Sequence, residues 1–180
     1  MFRISVLILS LCTLFVLISA CEDNPVSSEG EHANAVGFAL EIEGDELFRY
    51  QARNATPNTD DFPDYFTENE DGDMILTLSE EVLDDQNRTD EIKLRWLDSD
   101  GEKFDLPPAY QDGDRTEDEW ELRFSVAPED GPISYEINKQ DTGWSFWLYA
   151  EDSGEVDFEV ILWHIDHADL LQTIPVRSDI

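Results

Sequence analysis

The residues best suited to chemistry are the three histidines, His32, His164 and His167. Two of them lie in the segment WHIDHAD (163–169), which also contains Asp166 and Asp169. Imidazole nitrogens and carboxylate oxygens together form typical sites for zinc, copper or nickel. We therefore predict that two or three of these imidazoles, together with Asp166, Asp169 or Glu31, bind a transition metal ion, zinc or copper. The competing interpretation is that the histidines are solvated residues in a surface turn.

The place of His32 in this group depends on tertiary structure. The segments EHAN (31–34) and DHAD (166–169) are near copies, and each precedes a strand that would open or close the domain. In immunoglobulin-like sandwiches the first and last strands often pair in parallel. Such pairing would place both segments at one end of the fold, beside His164.

Outward aromatic residues are an alternative binding surface. Residues 144–150 and 155–164 both alternate in polarity, which predicts a hairpin closed by the loop Asp152-Ser153-Gly154. In that register Trp147, Tyr149 and Trp163 point outward, and flat rings of this kind can stack on sugars. The sequence thus permits a glycan- or protein-binding platform, unless other strands cover these rings.

No catalytic residues are predicted. The chain has no G-x-S-x-G elbow and no glycine-rich phosphate loop. A pair of carboxylates is uninformative among 43 Asp and Glu residues. The two cysteines, Cys12 and Cys21, both lie in the N-terminal segment. The processing expected for that segment, described next, leaves neither as a free thiol.

The N-terminus predicts an export signal. Arg3 precedes an apolar run from Ile4 to Ile18 and then Ser19-Ala20-Cys21. An aliphatic residue, two small residues and cysteine resemble the lipobox of bacterial lipoproteins. The resemblance implies cleavage before Cys21, with diacylglycerol on its thiol and an acyl chain such as palmitate on its new amine. A transmembrane anchor is the alternative, for which the run is short.

Charge defines the class of partner. The chain carries 43 acidic and 11 basic residues, a formal net charge of −32. This argues against nucleic acid as a partner, because phosphate binding needs clustered Lys and Arg. Acidity spread along a chain is typical of halophiles, and a calcium-binding surface is the alternative. The C-terminal H-x-x-H-A-D segment resembles that of small, acidic, uncharacterised lipoproteins of halophilic Bacteroidetes-like bacteria, which implies no function.

The body of the chain predicts β-structure. Apolar residues alternate along 36–42, 92–96 and 120–126, with turn signals between them. A three-residue loop at 99–101 would pair Trp96 with Phe104 and place Arg95 beside Asp105. Residues 53–72 are predicted to be a polar loop. The fold class is all-β: an antiparallel, immunoglobulin-like β-sandwich of eight or nine strands, with a small β-barrel as the alternative.

The organisation predicted is a signal peptide at 1–20, an acidic tether at 21–34 and one β-sandwich domain at 35–180. The function predicted is a lipid-anchored binding module of the outer membrane, on its periplasmic or cell-surface face, holding a transition metal ion. The alternatives are the aromatic platform, with a glycan or an envelope protein as its partner, and a structural envelope lipoprotein.

Overall fold

The computed structural model describes residues 34–51, 53–116 and 120–180. These residues belong to one compact unit, Ala33–Ile180. The predicted lipobox, with Cys21, and the predicted ligand His32 lie outside the described residues. No helix in the described part of the chain is long and apolar enough to cross a membrane.

Nearly all regular structure in the described residues is β-strand. Nine strands have five residues or more, in agreement with the eight or nine predicted, and five shorter strands have two to four residues. The strands are β1 Gly37–Ile42, β2 Asp45–Gln51, β3 Asn54–Pro57, β4 Phe66–Glu68, β5 Met74–Ser79, β6 Ile92–Leu97, β7 Lys103–Phe104, β8 Tyr110–Gln111, β9 Asp114–Arg115, β10 Trp120–Ala127, β11 Ile133–Ile137, β12 Ser145–Ala150, β13 Gly154–His164 and β14 His167–Asp179.

Two open sheets form a sandwich. The first has the order β11-β12-β6-β1-β2-β3, with β7 also paired to β6, and the second has the order β10-β13-β14-β5-β4. The pair β8-β9 forms a separate ribbon. Pairing is antiparallel except between β14 and β5, which are parallel. Because each main sheet ends in edge strands, the predicted antiparallel sandwich is confirmed and the alternative barrel is wrong.

The core lies between the two sheets. Phe146 of the first sheet packs against Phe124 and Phe158 of the second, with ring centroids 4.5 and 6.3 Å away respectively. Alternate residues of β13, from Val156 to His164, are buried, because successive side chains of a strand point to opposite faces. The core is therefore built from the inward residues of both sheets, and this determines which face of each strand is buried.

The hairpin predicted around Gly101 is confirmed. Trp96 is paired with Phe104, and the backbone N–H of Asp98 donates to the carbonyl of Glu102. On the outer face Arg95 Nε lies 2.9 Å from Asp105 Oδ1.

The hairpin predicted between residues 144–150 and 155–164 is wrong. β12 pairs with β11 and β6 in the first sheet, whereas β13 pairs with β10 and β14 in the second. The connection between them therefore crosses from one sheet to the other. Apolar alternation marks inward residues equally well for hydrogen-bonded neighbours and for strands that face each other across a core, so it could not separate the two arrangements.

Two further predictions are corrected. The first and last strands do not pair, because β1 lies between β6 and β2 while β14 lies between β13 and β5. The region 53–72 is not all loop: it contains β3, a 3-10 turn at Pro63–Tyr65 and β4. Both strands are short edge strands, whose polar sequences lack the alternation of buried strands.

Candidate metal centre

The hairpin of β13 and β14 brings the candidate ligands together. His164 ends β13, His167 begins β14, and the two are directly paired across the two-residue loop Ile165-Asp166. Directly opposed residues point to the same face of a sheet. Both imidazoles therefore lie at the inward rim of the sandwich, with ring centroids 5.6 Å apart.

A β-bulge in β14 places the carboxylate of Asp169 beside the two imidazoles. Trp163 is paired with Ala168 and Leu162 with Leu170, so Asp169 is an extra residue on β14. Asp169 follows His167 by two residues and shares its face, and the extra residue returns Leu170 to the core. Without the bulge, a regular strand could not direct both Asp169 and Leu170 inward.

The distances define a compact group. Asp169 Oδ1 lies 3.1 Å from His167 Nε2, and Asp169 Oδ2 lies 3.7 Å from His164 Nδ1. One donor atom from each of the three residues lies within 4.8 Å of the other two. The side chains of His164 and Asp169 are 1% and 5% exposed, whereas that of His167 is 45% exposed. These three residues could hold a metal ion at the boundary between core and solvent.

Asp166 acts on the other nitrogen of His167. Its Oδ1 lies 3.0 Å from His167 Nδ1, and its side chain is 86% exposed. This hydrogen bond is the main reason that the pKa of His167 is raised, and the charge of Asp169 contributes in the same direction. A carboxylate on the distal nitrogen also favours the tautomer that carries its proton on Nδ1, in which the Nε2 lone pair is the one that could bind a metal.

Trp120 flanks the group from the neighbouring strand β10. It is paired with His164 across β10 and β13, and the two rings are stacked at 4.8 Å with an interplanar angle of 13°. The indole Nε1–H donates to Asp169 Oδ2 over 3.4 Å. Trp120 thereby contacts one ligand and orients another.

Of the predicted ligands, the structure brings His164, His167 and Asp169 together. Asp166 lies next to the group and bonds His167 instead of joining the cluster. His32 and Glu31 are outside the described residues, and the strand pairing invoked to bring His32 near does not occur. Trp120 was not predicted: alternation marks it as inward, but only the register of β10 against β13 shows that it meets His164.

The predicted aromatic residues do not form one platform. Trp147 and Tyr149 are on the outer face of the first sheet, and Trp163 is on the outer face of the second. Trp147 and Trp163 are each packed against an arginine. Arg88 lies 5.6 Å from the Trp147 ring and Arg123 lies 4.0 Å from the Trp163 ring.

Trp147 also lines a groove of about 730 Å³ beside the edge strands β10 and β11. The other lining residues are a mixture of aliphatic, aromatic, amide and charged side chains. They include Tyr110, Glu121, Arg123, Asn138 and Lys139.

Comparison with protein-family models and with curated proteins finds no match. One similar solved structure is the crystal structure of a glycosyl hydrolase family 2 member from Bacteroides cellulosilyticus. It is 14% identical, with a TM-score of 0.32, over 83% of this chain and 22% of that chain. The chain thus corresponds to about a fifth of that protein, and a TM-score of this size supports no conclusion about activity.

Proposed function

We propose that this protein is a lipid-anchored binding module of the bacterial envelope that holds a transition metal ion at His164, His167 and Asp169. The observation that supports the proposal is the convergence of two imidazoles and one carboxylate within 4.8 Å. Nitrogen ligands favour zinc and copper over calcium, which prefers six or more oxygen ligands. Capture of such an ion for an uptake system is the role that fits a protein tethered to the envelope.

Metal titration of the purified full chain in detergent tests the site. Calorimetry with Zn²⁺ and Cu²⁺ should give binding much tighter than millimolar. Asp169→Asn and His167→Gln should each weaken it by at least about tenfold, since removing even an outer-shell partner costs that much. Asp157→Asn is the matched control, because Asp157 is exposed on the outer face of β13.

Both site variants preserve side-chain volume, and thermal melts show whether each remains folded. Millimolar affinity, or affinity unchanged in a folded Asp169→Asn variant, would remove metal binding from the proposal.

The anchor is tested separately. Expressed in a suitable bacterium, the chain should incorporate labelled palmitate and partition with membranes, because two or more acyl chains give stable attachment. Cys21→Ser should abolish the label, whereas Cys12→Ser should retain it, since Cys12 lies within the predicted signal. Unlabelled, membrane-free wild-type protein would contradict the lipid anchor.

A further inference from the structure

A second site is the groove beside the edge strands β10 and β11, and we propose that it binds a neutral oligosaccharide. The groove is separate from the metal group, because none of His164, His167 and Asp169 lines it. The proposal therefore goes beyond the proposed function and does not depend on metal binding. Of the aromatic platform predicted from the sequence, only Trp147 lines this groove.

The groove lies where the two sheets end. Among the described residues, β10 is the last strand of one sheet and β11 the last strand of the other. Tyr135 of β11 joins these two edges. Its hydroxyl donates to the backbone carbonyl of Phe124 in β10 over 3.1 Å, and its ring packs edge-on against the Phe124 ring. Because this contact links the two strands directly, the shape of the groove is set by the fold.

The size and the aromatic lining of the groove suit a sugar. Its volume of about 730 Å³ lies within the range of about 300–1,000 Å³ that is typical of ligand sites. Three of its aromatic residues are exposed or half-buried: Tyr110, Tyr135 and Trp147. A sugar ring presents C–H groups on its faces, and these pack against the electron-rich face of an aromatic ring.

The charges that line the groove cancel. Its lining contains two carboxylates, Glu121 and Glu136, and two cations, Arg123 and Lys139. The whole chain has a formal net charge of −32, so the groove is less acidic than the molecule as a whole. The negative field of the molecule opposes an anionic ligand, and the two cations of the groove oppose a cationic one. The charge balance therefore favours a neutral ligand.

The polar groups of the groove suit hydroxyl groups. Glu121 is buried and ion-paired with Arg123, and Glu136 accepts a hydrogen bond from the Tyr149 hydroxyl over 2.8 Å. These contacts hold the carboxylates in place, which lowers the entropic cost of binding. Gln140, in the turn after β11, adds an exposed amide. Since a hydroxyl group both donates and accepts, a sugar can bond carboxylates, cations and amides alike.

Titration with oligosaccharides tests the groove. The full chain, in a detergent without a sugar headgroup, is titrated with neutral hexasaccharides of glucose and of xylose while its tryptophan fluorescence is recorded. Because Trp147 lines the groove, at least one of them should change the emission saturably. Hexagalacturonate, the anionic counterpart, should bind at least about tenfold more weakly, since the negative field of the molecule repels it. EDTA should change neither result.

Two variants locate the sugar, and calorimetry compares their affinities. Trp147→Ala should weaken binding at least about tenfold, as is typical of Trp at the centre of a binding site. Phe62→Ala, which removes a half-buried aromatic residue outside the groove, is its control. Gln140→Ala should weaken binding about two- to tenfold through the loss of a hydrogen bond. Gln86→Ala, which removes an exposed amide outside the groove, is the matched control.

The outcomes decide the proposal without reference to the metal. Absence of binding by every neutral hexasaccharide overturns it, and so does hexagalacturonate that binds as tightly as the best of them. Neutral sugar bound with wild-type affinity by folded Trp147→Ala and Gln140→Ala lies elsewhere, which overturns the groove as its site. Thermal melts show whether Trp147→Ala is folded; if it is not, Gln140→Ala decides, because its side chain is exposed.

Discussion

At the scale of single residues, Glu46 is the carboxylate whose titration most clearly links to stability. Arg49 contacts both its oxygens at 2.8 Å, and Lys103 Nζ lies 2.8 Å from Oε2. Led by the hydrogen bond from Arg49, these contacts lower the pKa of Glu46 from 4.5 to about 2. A carboxyl group with a depressed folded-state pKa stabilises the fold above its unfolded pKa, and this contribution is lost as the pH falls.

Glu46→Gln should therefore destabilise the protein at pH 7 by about 1 kcal/mol or less, because the site is partly exposed and screened. The difference from wild type should shrink between pH 4.5 and about 2. Thermal melts at both ends of this range measure it. Glu43→Gln, in the adjacent turn, is the control and should have little effect on stability. If the loss of stability in Glu46→Gln persists at the lowest pH, the ion pairs are not its origin.

The candidate site was partly predictable at this scale because it is local in sequence. His164, His167 and Asp169 lie within six residues of one hairpin, so any tight turn there brings them close. Trp120 is 44 positions before His164, and no local pattern predicts that it stacks on that ring. The bulge that directs Asp169 inward could not be predicted either, because the extra residue of a bulge has no distinctive composition.

At the scale of elements, the two sheets depend on a shared aromatic contact. The ring centroid of Phe158 in β13 lies 4.8 Å from that of Phe124 and 6.1 Å from that of Tyr135. Phe158 is buried. Phe158→Ala should cost about 3–5 kcal/mol, because the sheets cannot close the cavity that it leaves. Phe158→Leu should cost much less.

Glu159→Ala is the control for this change, since Glu159 is on the opposite face of the same strand. Denaturant unfolding of the three variants measures the differences. Equal losses for Phe158→Ala and Glu159→Ala would contradict the inward position of Phe158.

Sequence patterns predicted the faces of strands better than their partners. In β12 and β13 the residues expected to be inward are buried, yet the two strands belong to different sheets. Alternation reports which side of a strand meets apolar material, and it contains no information on which strand supplies the hydrogen bonds. The 92–104 hairpin was predictable because a short loop with glycine leaves one register.

At the scale of the whole molecule, acidic residues exceed the cations available to pair with them. Glu41 is buried and contacts both Lys103 and Arg95, and Glu121 pairs with Arg115 and Arg123. These pairs already engage four basic side chains. The chain has only 11 Lys and Arg residues against 43 Asp and Glu residues. Most carboxylates must therefore be solvated at the surface, where they repel one another.

Salt should relieve this repulsion. Exposed charges are screened beyond about 10 Å at 0.1 M salt and beyond about 3 Å at 1 M. From low to molar NaCl the melting temperature should rise by about 5 °C or more, equivalent to roughly 1–2 kcal/mol for a domain of this size. Sucrose at equal osmolality is the control, because it stabilises without screening. A midpoint independent of NaCl but raised by millimolar Ca²⁺ would instead identify the acidic surface as a calcium-binding one.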